Sequence, residues 1–489
     1  MAGIRRALVY ATATRYITWA VTLGSTPIIA RLMTPAESAI AVIGGSVFGI
    51  AVAVRELGSV AYLVQQEDLS LDKIRTVFTV SILVTCIATL SLALLSGVIE
   101  GFYDAPGLAR YTQVVSLAFA LGPFAHPIYA LLTREMSFRA LALMDVLTTL
   151  LNMAATLIMI ILGSSYMSFA WAGVISSAAW LIMGFCVRRD LTIYRPSLSE
   201  WRGVLSFGAY GSGTAVVYRI SDALQYLIVG RFRDLHAIAI WQRAYGLAIF
   251  PERVILGGIG AVALPAFSDT ARRRQDLKGS YLRSVEHITA VQWPALILIA
   301  IFAEPIVRIM LGSQWTEVVV LLRILAIALL FDFPTTINYP AQVATEGIRH
   351  TVPLAVVHAG VWLGVSAFAA RYGMLALAMS TLVSIPVNVF LSVLLVRALI
   401  PFHWSEFVAA TRRSAVSTVS SAAGPLLIVI LYGGAETLPM VAVALGIGLS
   451  AAGWIGGLWL VRHPFLGELQ HVWSTITKRM TSVLIRARR

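Results

Sequence analysis

Charge is scarce in this chain. Only 12% of its 489 residues are Asp, Glu, Lys or Arg, whereas 58% are hydrophobic and the mean hydropathy is +0.82. Soluble domains carry about 25% charged residues, so a water-soluble globular protein of this size is excluded. Cysteine is nearly missing. Cys86 and Cys186 sit far apart in apolar stretches, which fits neither a disulfide framework nor a metal site and leaves packing as their role. Acidic residues are the rarer sign, 24 against 37 Lys+Arg, for a net charge of +13. The basic residues cluster in short connectors, the pattern that sets orientation in a membrane rather than one that grips nucleic acid. Long connectors are missing too. The longest, near 188–203 and 268–283, hold about 16 residues, so no soluble catalytic domain fits between the apolar runs. No nucleophile motif, Gly-rich nucleotide loop or metal-spaced His/Cys cluster occurs. Neither an enzyme nor a cofactor or metal protein is expected. No cleavable signal peptide is visible, because the first apolar stretch is too long and leads directly into another.

What is present is a succession of apolar runs. They predict fourteen spans, near 8–33, 38–64, 76–99, 111–132, 141–163, 168–187, 204–230, 238–267, 284–311, 318–345, 351–371, 374–396, 413–432 and 438–461. A membrane helix needs about 20 apolar residues. Continuous runs indicate helices, since barrel strands alternate. The expected fold is an all-α polytopic membrane protein. With the N-terminus cytoplasmic, cytoplasmic connectors hold 25 of the 37 Lys+Arg, the opposite side six and the spans six. That asymmetry places both termini in the cytoplasm. Prolines within spans, such as Pro127, Pro251 and Pro334, are expected to kink or break helices. His126 and His358, deep in spans, are expected to be hydrogen-bonded packing residues.

A repeat runs through the chain at an offset of 200. Ala30-Arg31 ends span 1 and Ala39-Ile40 opens span 2; Gly230-Arg231 ends span 7 and Ala239-Ile240 opens span 8. Deeper in, Arg55-Glu56 meets Glu252-Arg253 at an offset of 197, and Arg15 has a loose counterpart in Arg219. A lag of six spans makes the repeat parallel. The expected organisation is two pseudo-symmetric six-helix lobes, 1–200 and 201–397, with two extra C-terminal helices over 398–461. The tail, 462–489, repeats Leu469, Val472, Trp473, Ile476 and Met480 at helical spacing beside a basic remainder. It reads as an amphipathic helix on the cytoplasmic leaflet, drawn to anionic lipid.

The chemistry lies in ions inside the spans. The cations are Arg15, Arg55, Arg219, Arg243, Arg253 and Arg323; the acids are Glu56, Asp145, Asp222, Glu252, Glu304 and Asp332. Each such ion costs at least about 2.5–3.5 kcal/mol at the bilayer centre, so it persists only with a purpose. Two readings stand for each arginine: pairing between helices, or binding a ligand. Adjacent residues such as Glu252 and Arg253 point about 100° apart on a helix, so at least one of them seeks another partner. All six cations are arginine, whose guanidinium stays charged and forks onto phosphate. A dianionic headgroup crossing a membrane requires such a partner, and its sugars require aromatic and hydroxyl surfaces. Tyr16, Trp19 and Tyr218 lie deep enough to face a lumen. Asp145, Asp222, Glu252 and Asp332 are the candidates for coupling to a proton or sodium gradient, because buried carboxylates can titrate near neutrality.

Several stretches carry a family resemblance. IIARLMTPAES (28–38), LLTREMSFRALALMDV (131–146), SDALQYLIVGRF (221–232), QRAYGLAIFP (242–251), LPAFSD (264–269) and WTEVVVLLRILAI (315–327) occur in order over spans 1 to 10. Together they resemble Wzx/PST-type oligosaccharide flippases of the multidrug/oligosaccharidyl-lipid/polysaccharide exporter superfamily. Ser38-Ala39 replaces the family's usual Gly after the first "TP-acid", and Ile240-Trp241-Gln242-Arg243-Ala244 departs from the "GxYsrA" opening of span 8. The resemblance implies two lobes opening alternately in the bacterial inner membrane around an arginine-rich cavity, with spans 13 and 14 forming a groove for a polyprenyl tail. The cargo implied is a polyprenyl-diphosphate-linked oligosaccharide for exopolysaccharide, capsule or O-antigen synthesis. By span placement the diphosphate-binding set is Arg15, Arg55 and Arg253, assisted by Arg219 or Arg243. Membrane lipids and polysaccharide polymerase or export machinery are the expected partners. The rivals are a multidrug or cation antiporter of the same superfamily, which wants an acidic cavity, and an intramembrane polymerase, which wants a large outer loop.

Overall fold

The computed structural model describes residues 2–55, 60–65, 68–345, 347–468 and 470. Among them there is no strand. The helices in chain order are α1 (Ala2–Leu32), α2 (Pro35–Arg55), α3 (Val60–Gln65), α4 (Leu71–Tyr103), α5 (Leu108–Arg134), α6 (Phe138–Ile161), α7 (Met167–Val187), α8 (Trp201–Phe232), α9 (Leu235–Ala248), α10 (Gly257–Arg272), α11 (Leu277–Ile301), α12 (Ala303–Met310), α13 (Glu317–Ala328), α14 (Thr335–Ala344), α15 (Ile348–Ala370), α16 (Met374–Leu399), α17 (Trp404–Leu431) and α18 (Met440–Leu460). Hydrocarbon offers the backbone no hydrogen-bond partner, so each segment satisfies its own N–H and C=O groups by coiling. Eleven segments among the described residues are long and apolar enough to cross a membrane: α2, α4, α5, α6, α7, α11, α13 through α14, α15, α16, α17 and α18. The chain is a multi-pass membrane protein. The remaining expected spans are α1, α8 and the α9–α10 stretch. These are the segments bearing Arg15, then Arg219 and Asp222, then Arg243, Glu252 and Arg253. Fourteen crossings therefore rest on the charged segments and remain a proposal.

The outer surface fits lipid rather than water. Leu94 on α4 is 73% exposed and Trp459 on α18 is 75% exposed, with Leu90, Ile430 and Leu431 also outward. Cys86 and Cys186, expected inside, are exposed as well. Hydrocarbon solvates an outward thiol without cost, so nothing drives it into the core.

Helix starts follow local chemistry. Thr34 caps α2: its N–H donates to Glu37 Oε2 at 2.8 Å, and the Glu37 N–H returns to Thr34 Oγ1 at 3.3 Å. Pro35 follows at the first helical position, where no N–H is needed. Exactly one repeat later, Asp234 caps α9, its Oδ1 accepting from the Ala237 N–H at 2.8 Å. The helix ends Leu32 and Phe232 and the starts Pro35 and Leu235 keep the offset of 200 seen in the sequence. Prolines divide into two groups. Of the prolines expected to kink or break helices, Pro27, Pro127, Pro265, Pro294, Pro340 and Pro386 lie inside continuous helices, whereas Pro334 stands at the break before α14. Pro251 does interrupt: the chain continues as a π turn, Glu252–Leu256, before α10. Proline cannot donate to the preceding turn, and its ring crowds the carbonyl it faces, which loosens the winding there.

The helices form two compact units. One comprises the chain up to Arg243 with Ile309–Trp315 and Thr351–Ser380; the other comprises Ala244–Arg308, Thr316–His350 and the chain from Thr381. In the first, a core of Val77, Ile128, Leu132, Ile193 and Val204 joins α4, α5 and α8. Trp315 is fully buried and donates its indole N–H to the Ala30 carbonyl at 3.0 Å, tying the end of α1. In the second, α17 and α18 meet through small residues. A Cβ on Gly457 would lie 2.7 Å from Ser417 Cα, so only glycine permits that approach. His463, just past α18, adds to the contact with α17, whose Ser414 hydroxyl donates to the Glu286 carbonyl on α11 at 3.1 Å. The His463 Nδ1 accepts from the Phe465 N–H at 3.1 Å, and its Nε2 stands 3.2 Å from Ser414 Oγ. Of the expected tail, 462–489, residues 469 and 471–489 lie outside the described residues.

Candidate functional site

Arg55 ends α2 and is held by α5. Its Nη1 donates to the Phe119 carbonyl on α5 at 3.4 Å, and its Cζ lies 4.6 Å from the centroid of the Phe119 ring. Phe119 is fully buried, so the ring is a fixed platform. One turn on, Gly122 leaves room for the guanidinium. A Cβ there would run into Nη1 and come within 2.9 Å of Cζ. The arginine is therefore aimed by three features of one helix: a carbonyl, an aromatic face and a missing side chain. His126, the next polar residue along α5, has Nδ1 3.2 Å from Ser81 Oγ, the packing role expected of it.

Arg15 on α1 is half-buried, and Arg219 on α8 is exposed. Arg243 on α9 stands with Cζ 5.4 Å from the Trp315 ring, and its buried Nε has no hydrogen-bond partner. These residues and Arg55 belong to the first unit, whereas Arg253, exposed in the π turn, belongs to the second. Tyr16 and Tyr218 are exposed and Trp19 is half-buried. The Tyr218 hydroxyl lies 3.4 Å from His358 Nδ1. Glu56, neighbour of Arg55, lies outside the described residues. Of the charged pairs, Arg188–Glu135 joins the connectors after α7 and α5, whereas Arg413–Glu286 links α17 to α11.

The four carboxylates differ in setting. Asp145 on α6 accepts the Trp180 indole N–H at 3.1 Å. Asp222 on α8 is exposed. In the second unit Asp332, after α13, accepts from Thr335 Oγ1 at 2.7 Å and lies within electrostatic range of Glu252 at the π turn. No group of three or more His, Cys, Asp or Glu that could hold a metal ion occurs among the described residues.

One feature was not anticipated from sequence. A cavity of about 350 Å³ opens between α5, α6 and α7, with Gly122 on its wall. Its polar lining is Thr148, Thr149 and Asn152 from α6 and Ser176 and Ser177 from α7, with Trp180 beside them. The signal was present: Thr148-Thr149 and Asn152 repeat the spacing of Ser176-Ser177 and Trp180, one polar stripe on each of two apolar helices. Such i, i+4 neighbours share a face.

Residues 28–320 match the family described as "Polysaccharide biosynthesis protein". The chain belongs to that family. Among its relatives, the teichuronic acid biosynthesis protein TuaB of Bacillus subtilis is 22% identical over 56% of this chain and 57% of its own length. The lipopolysaccharide biosynthesis protein WzxC of Escherichia coli is 20% identical over 61% of each. The succinoglycan biosynthesis transport protein ExoT of Rhizobium meliloti is 22% identical over 65% of this chain and 66% of its own. The chain thus matches roughly six tenths of the length of these family members. The fold extends further than the sequence match. The inward closed structure of the lipid II flippase MurJ superposes with a TM-score of 0.73 at 13% identity, covering 94% of this chain and 98% of that one. A multidrug resistance MATE family transporter of the MOP superfamily gives 0.56 at 15% identity, covering 84% and 94%. This family member therefore has the all-helical fold shared by those transporters.

Proposed function

We propose that the protein is a flippase that carries a polyprenyl-diphosphate-linked oligosaccharide from the cytoplasmic to the periplasmic leaflet of the bacterial inner membrane, with both termini cytoplasmic. The observation that carries this reading is the set of arginines, without a lysine, within α1, α2, α8, α9 and the π turn of an otherwise apolar protein. Guanidinium is the group that replaces water around a diphosphate without losing its charge. The names of TuaB, WzxC and ExoT support polymer biosynthesis and transport, and the MurJ fold supports a lipid-linked cargo.

In this reading Arg15, Arg55 and Arg253 bind the diphosphate, with Arg219 or Arg243 assisting. Tyr16, Trp19 and Tyr218 face the sugars. The lobes 1–200 and 201–397 alternate access, and 398–461 receives the polyprenyl tail. Asp145, Asp222, Glu252 and Asp332 are the candidates for proton or sodium coupling, since carboxylates within a membrane can take up a proton or a cation. The test is complementation of a deletion strain. Arg55→Glu or Arg253→Glu, inserted and folded in the membrane, abolishes polysaccharide export, and the lipid-linked oligosaccharide accumulates. Normal export by either variant removes that residue from the site.

A further inference from the structure

We propose that the α5–α6–α7 cavity is a docking pocket for the first sugar of the cargo, adjoining the diphosphate held at Arg55. The proposal rests on the flippase reading above. Gly122 joins the two places, since it lines the cavity and also meets the Arg55 guanidinium. A diphosphate on Arg55 therefore leaves its glycosyl substituent at the cavity.

The lining suits a pyranose. Sugars are recognised by amide and hydroxyl groups that both donate and accept, with an aromatic face against their C–H bonds. Asn152 Nδ2 donates to Ser176 Oγ at 3.1 Å, which uses one of its two N–H bonds and leaves Oδ1 as an acceptor. Thr148 and Thr149 each donate back to α6 carbonyls, Met144 at 2.8 Å and Asp145 at 2.7 Å. Their oxygens are thereby oriented to accept from an incoming hydroxyl. Trp180 is held at its edge by Asp145, 3.1 Å away, and inclined on Tyr129 with ring centroids 6.4 Å apart. A volume of about 350 Å³ lies at the small end of the roughly 300–1,000 Å³ of ligand sites. That is the scale of a mono- or disaccharide and not of a whole repeat unit. A cation site is the weaker fit, since the polar lining offers one amide and four hydroxyls but no carboxylate.

The experiment measures binding of the purified full-length protein to farnesyl diphosphate and to the same lipid carrying glucose, galactose or N-acetylglucosamine. At least one glycosylated lipid binds wild type about tenfold tighter than bare farnesyl diphosphate, the scale expected when polar groups in a pocket find partners. Asn152→Leu and the near-isosteric Thr149→Val reduce that preference below about threefold while bare farnesyl diphosphate binds as before. Arg55→Ala weakens both ligands in parallel. A preference that survives both pocket substitutions, or a wild type that binds farnesyl diphosphate but prefers no sugar, overturns the pocket and leaves the flippase reading standing. Sodium-dependent quenching of tryptophan fluorescence, lost in both variants without any sugar preference, assigns the cavity to a cation and also overturns it. Failure of wild type to bind farnesyl diphosphate at all removes the flippase reading and the pocket together.

Discussion

Replacing Gly122 by alanine separates the aim of Arg55 from the fold that carries it. The new Cβ would meet Nη1 first, and Cζ at 2.9 Å would have to retreat beyond the 3.4 Å at which ordinary contact begins. The obstacle is the far end of a flexible side chain, so α5 need not move. What is lost is a long hydrogen bond to the Phe119 carbonyl and part of the stacking on its ring. The bond is worth about 0.5–1 kcal/mol and the cation–π contact about 1 kcal/mol in a half-buried setting. Alanine within a helix returns up to about 1 kcal/mol relative to glycine. The net is a loss of about 0.5–1 kcal/mol. Binding responds differently, because a guanidinium displaced from its bearing forfeits a charge-assisted bond worth about 1.5–3 kcal/mol, or roughly 10- to 100-fold in affinity. Thermal unfolding in detergent reads the first quantity, and titration with farnesyl diphosphate reads the second. The reasoning fails if Gly122→Ala binds farnesyl diphosphate like wild type while Arg55→Ala does not, since the guanidinium would then act without its α5 support.

Other outcomes are equally specific. Burial, with the nearby charges of His287 and Arg413, pushes His463 down from 6.5 to about 4; Glu286 at 3.9 Å is the facing acid. Its Nδ1 already accepts a backbone N–H, so the neutral form is the one that fits. A depressed folded value means that stability is full above about pH 6.5 and falls as pH drops toward 4, by up to about 1.4 kcal/mol per pH unit. Thermal unfolding between pH 7.5 and 4.5 shows that slope, and His463→Gln flattens it. Gly457→Leu forces α18 off Ser417 and costs about 2 kcal/mol or more through overpacking, visible as a lower unfolding temperature with the diphosphate affinity kept. Thr34→Ala and Asp234→Ala each cost about 1 kcal/mol as lost caps. The double variant costs about the sum, as expected for separate sites.

The parts of the fold legible in the sequence were those set by lipid. Long apolar runs have one backbone solution, and each of the fourteen runs corresponds to a helix or a broken series of helices. The offset of 200 was legible because caps and helix ends are local chemistry, seen again at Thr34 and Asp234. Most in-span prolines leave their helices unbroken, because a helix in lipid keeps its remaining internal hydrogen bonds even where one is missing. The arginines stood out by cost alone. Their partners did not, since nothing in the residues near 119–122 announces that a phenylalanine and a glycine on another helix will cradle Arg55. The polar stripes on α6 and α7 passed unnoticed for the same reason: each is unremarkable until the two helices face each other.

The π turn at Glu252–Leu256 carries one residue more per loop than the coils on either side. If it rewinds to ordinary α geometry, every residue beyond it swivels by about 100° and slides by about 1.5 Å along the axis. Arg253 lies inside that turn, so the same rewinding would re-aim its side chain by a single register step.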